Sequence, residues 1–317
     1  MRKLDEILNS LRPQKRALIL GSIFVDLLIN CPQLPKSGAD STAKFERGAV
    51  GGCAFNCADV LLKLGLPFDN LLPLGHGFIA DFAAKELARR NFKAQVVDTA
   101  QDNGFCITFI EKSGERSFVT MPGLELNFKE QWFDALPLEK TDLVYLSGYQ
   151  CEGSGIFEIL KALQRLPYSA RIVFDPGPRT GFIAPEVYKG LEQFKLIYAL
   201  NAEEAMLKSG ASSPQEAAAA LSASCSQPAV VTEGARGAWL SQQGQTTLIP
   251  GFKIKLADTV GSGDAHSGGL MAGLICGLPL EECVLIANAT AAAVSAQQGA
   301  ACALGKKELL ELLAGQY

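Results

Sequence analysis

The chain has 317 residues, 48% of them hydrophobic and 20% charged, with a formal net charge of −4. This is ordinary composition for a soluble globular protein, and the length permits one large α/β domain or two smaller ones around an ample core. The weak negative charge excludes a global basic field for nucleic acid or acidic lipid. An anionic ligand must therefore be held by loop amides, a few Arg or Lys, and metal ions.

Leu4, Ile7, Leu8 and Leu11 recur at helical spacing, which predicts a short helical extension over 1–13 rather than a signal peptide. No stretch approaches the ~18 uninterrupted apolar residues of a membrane span, and the protein is expected in the cytoplasm. The nine cysteines are scattered and odd in number, and with two histidines they offer no tetrahedral zinc set. They read as reduced core residues.

The apolar run Ala17–Leu20 predicts a buried strand, followed by Gly21-Ser22 and then Asp26. Residues 30–48 are richer in Pro, Gly and charge, with an exposed strand expected at 41–46. Gly51-Gly52 opens an apolar helix over 55–64, closed by Gly65. A strand at 69–74 and an amphipathic helix at 79–91 follow. Residues 104–120 alternate apolar and polar around Ser113-Gly114, a hairpin that could form a small separate sheet with 40–48. Beyond it strands are expected at 143–147, 171–175, 196–200 and 229–233. Helices are expected at 156–166, 185–194, 203–209 and 214–223. A hairpin-like stretch, 238–256, leads into long Ala-rich helices.

Such alternation argues an α/β fold with a central, mostly parallel sheet covered by helices on both faces. One domain over 1–317 is expected, with an inserted lid formed by about 30–48 and 104–120. A two-domain chain split near residue 135 is the alternative.

The most informative stretch runs from Asp258 to Gly269, Asp-Thr-Val-Gly-Ser-Gly-Asp-Ala-His-Ser-Gly-Gly. Gly261, Ser262 and Gly263 can let backbone N–H groups converge on an anion at a helix N-terminus. Asp264 is out of place there unless it accepts a proton from a hydroxyl while the cradle stabilises a transferring phosphoryl group. A plain N-cap after a turn is the simpler alternative for an isolated match. Ligands of open parallel sheets bind beyond the carboxyl ends of strands. Asp26, Asp175, Asn201 with Glu204, Thr232 with Glu233, and Asp264 all fall at such expected ends.

Four motifs in order, spread over about residues 17–313, resemble the ribokinase-like (PfkB-type) carbohydrate kinases. Gly51-Gly52-Cys53-Ala54-Phe55-Asn56-Cys57-Ala58, followed by Leu64-Gly65, is similar to the family's N-terminal signature. Asp258–Asp264 is similar to its C-terminal signature. Asn201-Ala-Glu-Glu204 resembles its Asn-x-x-Glu motif, and Thr232-Glu-Gly-Ala-Arg-Gly237 its nucleotide-binding glycine turn.

The resemblance implies a ribokinase-like fold and an ATP-dependent sugar kinase acting on a hydroxymethyl group. Asp264 would be the general base, and Gly261, Ser262 and Gly263 the anion hole. Gly51 and Gly52 would let the backbone approach the sugar, with Asn56 and Asp26 meeting its hydroxyls. Asn201 and Glu204 would position hydrated Mg²⁺ and phosphate. Thr232, Gly234 and Gly237 would hold the nucleotide, and Asn288 would reach the adenine. Asp258 and the carbonyl of Val260 resemble part of a monovalent-cation (K⁺) site, with more oxygens expected from 295–303. Ala303 departs from a relative's hydroxyl residue there.

Asp175-Pro-Gly-Pro-Arg179 resembles a variant in relatives that phosphorylate keto-sugars or sugar acids. Arg179 would meet a substrate carboxylate or the γ-phosphate. His76 and His266 depart from the family pattern, and His266 is expected to be a packing residue, not the base. A nucleoside kinase of the same fold would need an aromatic shelf from the lid, for which Phe105, Phe109 and Phe118 are candidates. A sugar-binding regulator without chemistry is the third reading. Expected partners are the sugar and ATP, with no nucleic acid or membrane; a homodimer through the lid is also expected.

Overall fold

The computed structural model describes residues 2–97 and 100–316. Helix α1 (Leu4–Asn9) precedes β1 (Ala17–Leu20), whose four residues are all buried. Next come β2 (Phe24–Cys31), β3 (Lys44–Gly51), α2 (Cys53–Lys63), β4 (Asp69–Leu71) and β5 (Pro73–Leu74). They are followed by α3 (Phe78–Arg89), β6 (Gln95–Val96), β7 (Phe105–Glu111), β8 (Arg116–Met121) and β9 (Leu143–Ser147). The chain continues through α4 (Gly155–Leu163), β10 (Arg171–Asp175), α5 (Pro185–Leu191) and β11 (Lys195–Asn201). Then come α6 (Ala202–Ser209), α7 (Pro214–Cys225), β12 (Ala229–Thr232), β13 (Gly237–Gln242) and β14 (Gln245–Pro250). Three helices close it: α8 (Ser262–Ile275), α9 (Leu280–Ser295) and α10 (Lys306–Leu312).

The large sheet has the order β14-β13-β12-β11-β10-β9-β1-β4. From β12 to β4 every pairing is parallel, while β13 and β14 add an antiparallel edge. Successive strand residues face opposite sides, so Ile19 and Tyr145 join one core while Leu18, Leu20, Val144 and Leu146 join the other. The first core is closed by α2, α3, α8 and α9, the second by α4, α5 and α7. Both faces of the sheet are therefore covered, which is why its strands read as apolar runs.

Helix α8 is buried from Ala265 to Ile275 without a break, because neighbours approach it from several sides. A Cβ on Gly269 would lie 2.6 Å from the Ala287 Cα of α9, and one on Gly268 would lie 2.8 Å from the Cys57 carbonyl of α2. Small residues at these points let three helices meet at backbone distance, fixing where the α8 N-terminus lies.

A second sheet, β3-β2-β7-β8, stands apart from the first. β2 runs antiparallel to β3 and parallel to β7, and β7 and β8 form the expected hairpin. The sequence did not disclose β2. Its residues are nearly all half-buried on both sides, so the period-2 contrast that marks a strand is missing. In consequence Asp26 sits within a strand of the small sheet, not at the end of a large-sheet strand. The expected strand at 69–74 is broken at Leu72, its two pieces pairing with β1 and β6. Among the described residues the cysteines are all free thiols. No described helix is long and apolar enough to cross a membrane.

Candidate active site

A cleft of about 580 Å³, its open mouth included, lies beyond the carboxyl ends of β9 to β12 and against the start of α8. Asp264, Asp175, Glu204, Asn201, Thr232, Gly261 and Gly263 line it together with Cys53, Tyr149, His266 and Ser267. This is the position that strand polarity dictates for an open α/β sheet.

Gly261 is the N-cap of α8 and adopts φ 78°, ψ 0°. A Cβ there would lie 2.7 Å from the Ala300 Cα, so only glycine fits both the conformation and the space. At Gly263 a Cβ would meet nothing within 4 Å, leaving the first turn of the helix open. The N–H groups of a first turn have no partner within their helix, and here they adjoin the cleft. The Ser262 hydroxyl instead faces the Ser295 hydroxyl at 2.6 Å, tying α8 to the end of α9.

Asp264 accepts a hydrogen bond from Asn56 Nδ2 at 2.7 Å. Burial pushes its carboxyl above the usual range, opposed by hydrogen bonds from Asn56 and the Cys53 thiol. Asp175, at the end of β10, accepts from Ser267 Oγ at 3.2 Å. It lies well above the ordinary carboxylate range because of burial, reinforced by the charges of Asp264 and Glu204. Burial raises Glu204 as well. Among the described residues, those lining the cleft include no Lys or Arg. The cleft is thus a basin of negative charge with helix dipole and loop amides on one wall.

Asn201 and Glu204 form a reciprocal capping box on α6: the Glu204 N–H donates to Asn201 Oδ1 at 2.9 Å, and the Asn201 N–H to Glu204 Oε2 at 3.0 Å. Their side chains are held at the cleft by that box. Thr232 ends β12 on the same wall, and the turn after it contains Gly234 (φ 55°) and Gly237 (φ 104°). Glu233 closes this turn by accepting from Arg236 at 2.7 Å and from the Trp239 indole at 2.8 Å.

Another cluster adjoins the Asp264 side. Gly51 ends β3 beside β2, and a Cβ on it would stand 3.0 Å from Asp26 Oδ2 and 3.9 Å from Asn56 Oδ1. Gly52, with φ 100°, turns the chain into α2. Burial raises the Asp26 carboxyl. Asn56 is 5% exposed, and its Oδ1 finds no hydrogen-bond partner among the described residues while its amide N–H holds Asp264. Such an acceptor is costly to bury unless something else satisfies it. Two acceptors, Asp26 and Asn56 Oδ1, therefore converge across Gly51.

Several expected site residues fall elsewhere. Phe105 pairs in register with Val25, so it shares Val25's face of the small sheet and packs against the main core. Asp26 pairs with Cys106, and the pleat puts that row on the opposite face. Phe105 and Phe109 are therefore turned away from Asp26; Phe118, in register with Thr108, lies on Asp26's side, as does Phe24, two residues before Asp26 on β2. Asn288 is 5% exposed and spent internally. Its Oδ1 meets His266 Nε2 at 3.2 Å, and its Nδ2 donates to the carbonyls of Ile249 and Pro250 at 3.0 and 3.1 Å. As it stands it joins α9 to α8 and β14 and offers nothing to an adenine.

Arg179 donates through Nε to Glu152 at 2.7 Å and lies 4.6 Å from the Phe182 ring centroid, outside the cleft lining. Asp258 accepts from the N–H groups of Val260 (3.2 Å) and Gly299 (3.4 Å), with Arg116 of β8 at 3.9 Å. His266 is buried and pushed down to about 4 by burial, so it is neutral near pH 7 and cannot answer the charge of its neighbours.

Sequence reasoning named Asp175 at a strand end but gave it no separate role, and it passed over Cys53 and Ser267. Ser267 stands three residues after Asp264 on α8, and that i, i+3 spacing was available as a signal.

The chain has relatives along nearly its whole length. A sugar kinase of Escherichia coli strain K12, the uncharacterized YegV, is 32% identical over 316 residues, covering 97% of each chain. The ribokinase of Haemophilus influenzae is 24% identical over 310 residues, covering 95% of this chain and 99% of its own. The solved ribokinase of Thermotoga maritima superposes with a TM-score of 0.79 at 19% identity, over 94% of this chain and 98% of its own. The pfkB family model matches residues 14–306, and the chain belongs to that family of carbohydrate kinases, phosphotransferases with an alcohol group as acceptor.

Proposed function

We propose that this kinase transfers the γ-phosphoryl group of ATP to a hydroxymethyl group of a sugar. The observation that carries this reading is Asn56. One end of its buried amide is fixed on Asp264, and the other presents an unsatisfied acceptor beside Asp26. Two acceptors at one spot suit an acceptor molecule with neighbouring hydroxyls, and the same side chain ties that spot to the proton-accepting carboxylate.

In the proposed reaction the acceptor hydroxyl oxygen bonds to the γ-phosphorus, the bond from γ-phosphorus to its bridging oxygen breaks, and the hydroxyl proton passes to Asp264. Its raised affinity for protons makes Asp264 a better base than an exposed carboxylate. Gly261, Ser262 and Gly263 would stabilise charge on the transferring group through backbone N–H groups. Thr232, Gly234 and Gly237 would hold the nucleotide. Mg²⁺ arriving with ATP would neutralise phosphate charge, and Asn201 and Glu204 fit a hydrated ion. Among the described residues no cluster of three or more metal-ligating side chains exists, which suits an ion carried mainly by phosphate and water. Arg179 would have to leave Glu152 to reach a phosphoryl group.

The small sheet carries Asp26 and would act as a lid over the acceptor. Its exposed β8 edge, with Arg116–Met121 largely open to solvent, is the part we read as the contact for a second copy. A nucleoside acceptor is the second reading: Phe105 and Phe109 face away from Asp26, while Phe118 lies on its side and is the candidate base shelf.

The deciding experiment is a panel of sugars, sugar acids and nucleosides assayed for ATP-dependent ADP release. We expect turnover with a sugar or sugar acid. Turnover confined to nucleosides would replace this reading with a nucleoside kinase. Sugar binding without any ADP release would point to a regulator.

A further inference from the structure

We infer that Asp59 is a positioning residue for the anion cradle, acting with Arg90 on the loop 296–303 and touching no substrate; this rests on the kinase reading above. Asp59 lies on α2 and is 1% exposed. A carboxylate buried that deeply must be answered by specific partners. Its Oδ2 accepts from the backbone N–H of Ala303 at 3.0 Å, and its Oδ1 faces Arg90 Nη1 at 3.3 Å. The same Arg90 nitrogen donates to the Ala301 carbonyl at 2.8 Å. The Arg90 guanidinium also stands 5.7 Å from the centroid of the Phe55 ring of α2. Two backbone groups of one loop, a donor and an acceptor, are thus gripped by side chains from α2 and the end of α3.

The next residue along this loop is part of the cradle wall. Ala300, beside the gripped Ala301, presses on Gly261 so closely that a Cβ there would lie 2.9 Å from the Ala300 carbonyl oxygen. The Gly299 N–H reaches Asp258 Oδ2 at 3.4 Å. The segment itself reads Gly299-Ala-Ala-Cys-Ala303, and its one polarisable side chain, Cys302, turns back onto the Gly299 carbonyl at 3.0 Å. Gln297, at the start of the loop, donates to the Cys302 carbonyl at 2.8 Å and to the Ala293 carbonyl of α9 at 3.0 Å, and Asp59 and Arg90 hold Ala303 and Ala301 from the other side.

Asp59 also stands three residues after Asn56 on one helix face. Asn56 holds Asp264 and Asp59 holds the loop behind Gly261. One rigid helical turn therefore sets the spacing between the proposed base and the proposed anion hole.

The rival account is an ion pair that only stabilises the fold. Asp59→Ala removes both contacts, while Asp59→Asn keeps an acceptor for Ala303 and loses the charge facing Arg90. With the acceptor found in the panel, and well below each variant's melting temperature, Asp59→Ala should lower kcat roughly 10- to 100-fold. Both KM values should stay within about twofold, since cradle contacts count chiefly in the transition state. Asp59→Asn should recover part of the loss. Amide exchange across 296–303 should quicken in both variants without any ligand.

A folded Asp59→Ala with kcat within twofold of wild type would overturn the inference. So would a loss that tracks only the fraction unfolded, or unchanged exchange in the loop. If Asp59→Ala does not fold, Asp59→Asn and Arg90→Lys carry the same test. Should wild type phosphorylate nothing in the panel, the kinase reading fails separately, and the exchange measurement still decides whether Asp59 holds the loop.

Discussion

At the Gly261 end of the cleft, where we propose the phosphate lies, backbone does the work. Gly261 is wedged against Ala300, α8 is packed at backbone distance against α9 and α2, and the loop behind is gripped by buried Asp59. At the Asp26 end, proposed for the acceptor, side chains do the work. Asp26 rides on a four-stranded sheet whose outer residues are largely exposed, and which face each side chain occupies depends on register. Backbone devices need particular small residues in a particular order, so they leave a motif. A side chain's face depends on strand pairing, and a one-residue change in register reverses it.

The largest effect should come where the two ends meet. Asp264→Asn is nearly isosteric but cannot take the hydroxyl proton, so kcat should fall roughly 10²- to 10⁴-fold with ATP affinity within a few-fold. A variant retaining more than about a tenth of wild-type turnover would remove Asp264 as the base.

Asn56→Leu should act at both ends, raising the acceptor KM and lowering kcat by about tenfold or more. The hydrogen bond from Asn56 favours ionised Asp264, so its loss should raise that carboxyl further. A base works above its pKa, so the acid limb of kcat should move to higher pH. An unmoved limb would separate Asn56 from the base.

Arg179→Ala should cost several-fold in kcat for every acceptor if Arg179 leaves Glu152 for the phosphoryl group. A KM increase confined to sugar acids would place it at the acceptor end instead. Unchanged kinetics would leave it as a partner of Glu152 and Phe182 alone.

The register argument gives a paired test. Cys106→Phe, on Asp26's face, should raise the acceptor KM, whereas Phe105→Leu should leave it within about twofold, since losing that aromatic removes only core packing. The reverse pattern would mean that the small sheet presents its other face.

The smallest effect should follow cation exchange. Asp258 already faces two N–H groups and Arg116, so its charge is answered within the chain. Replacing K⁺ with Na⁺ should change kcat by less than about twofold; strict K⁺ dependence would show that these contacts yield to a cation.

The same contrast explains what could be read beforehand. The alternation of β9 to β12 with their helices, the glycines around Gly261, and the Asn201–Glu204 box all leave local patterns, and the structure has each in place. β2 left none, because both its faces are partly covered. Asp26 was picked out, but as the end of a large-sheet strand, and the face that Phe105 occupies could be read only from the strand register. Asn288 looked available because a sequence does not disclose that β14 carbonyls and His266 claim its amide. Asp59 and Arg90 meet a loop more than 200 residues away, a contact no local pattern could announce.

His266 carries one more consequence. Burial holds its imidazole at about 4, against 6.5 for a free side chain, so the unfolded chain takes up a proton that the folded chain refuses between those values. Stability therefore falls as pH drops from 6.5 towards 4, by roughly 3 kcal/mol for this single group. The buried carboxyls of Asp175 and Asp264 are raised by burial and take up protons in the same acidic range. Acidification therefore acts on the enzyme twice, by protonating the proposed base and by removing the stability that a neutral, buried His266 supplies.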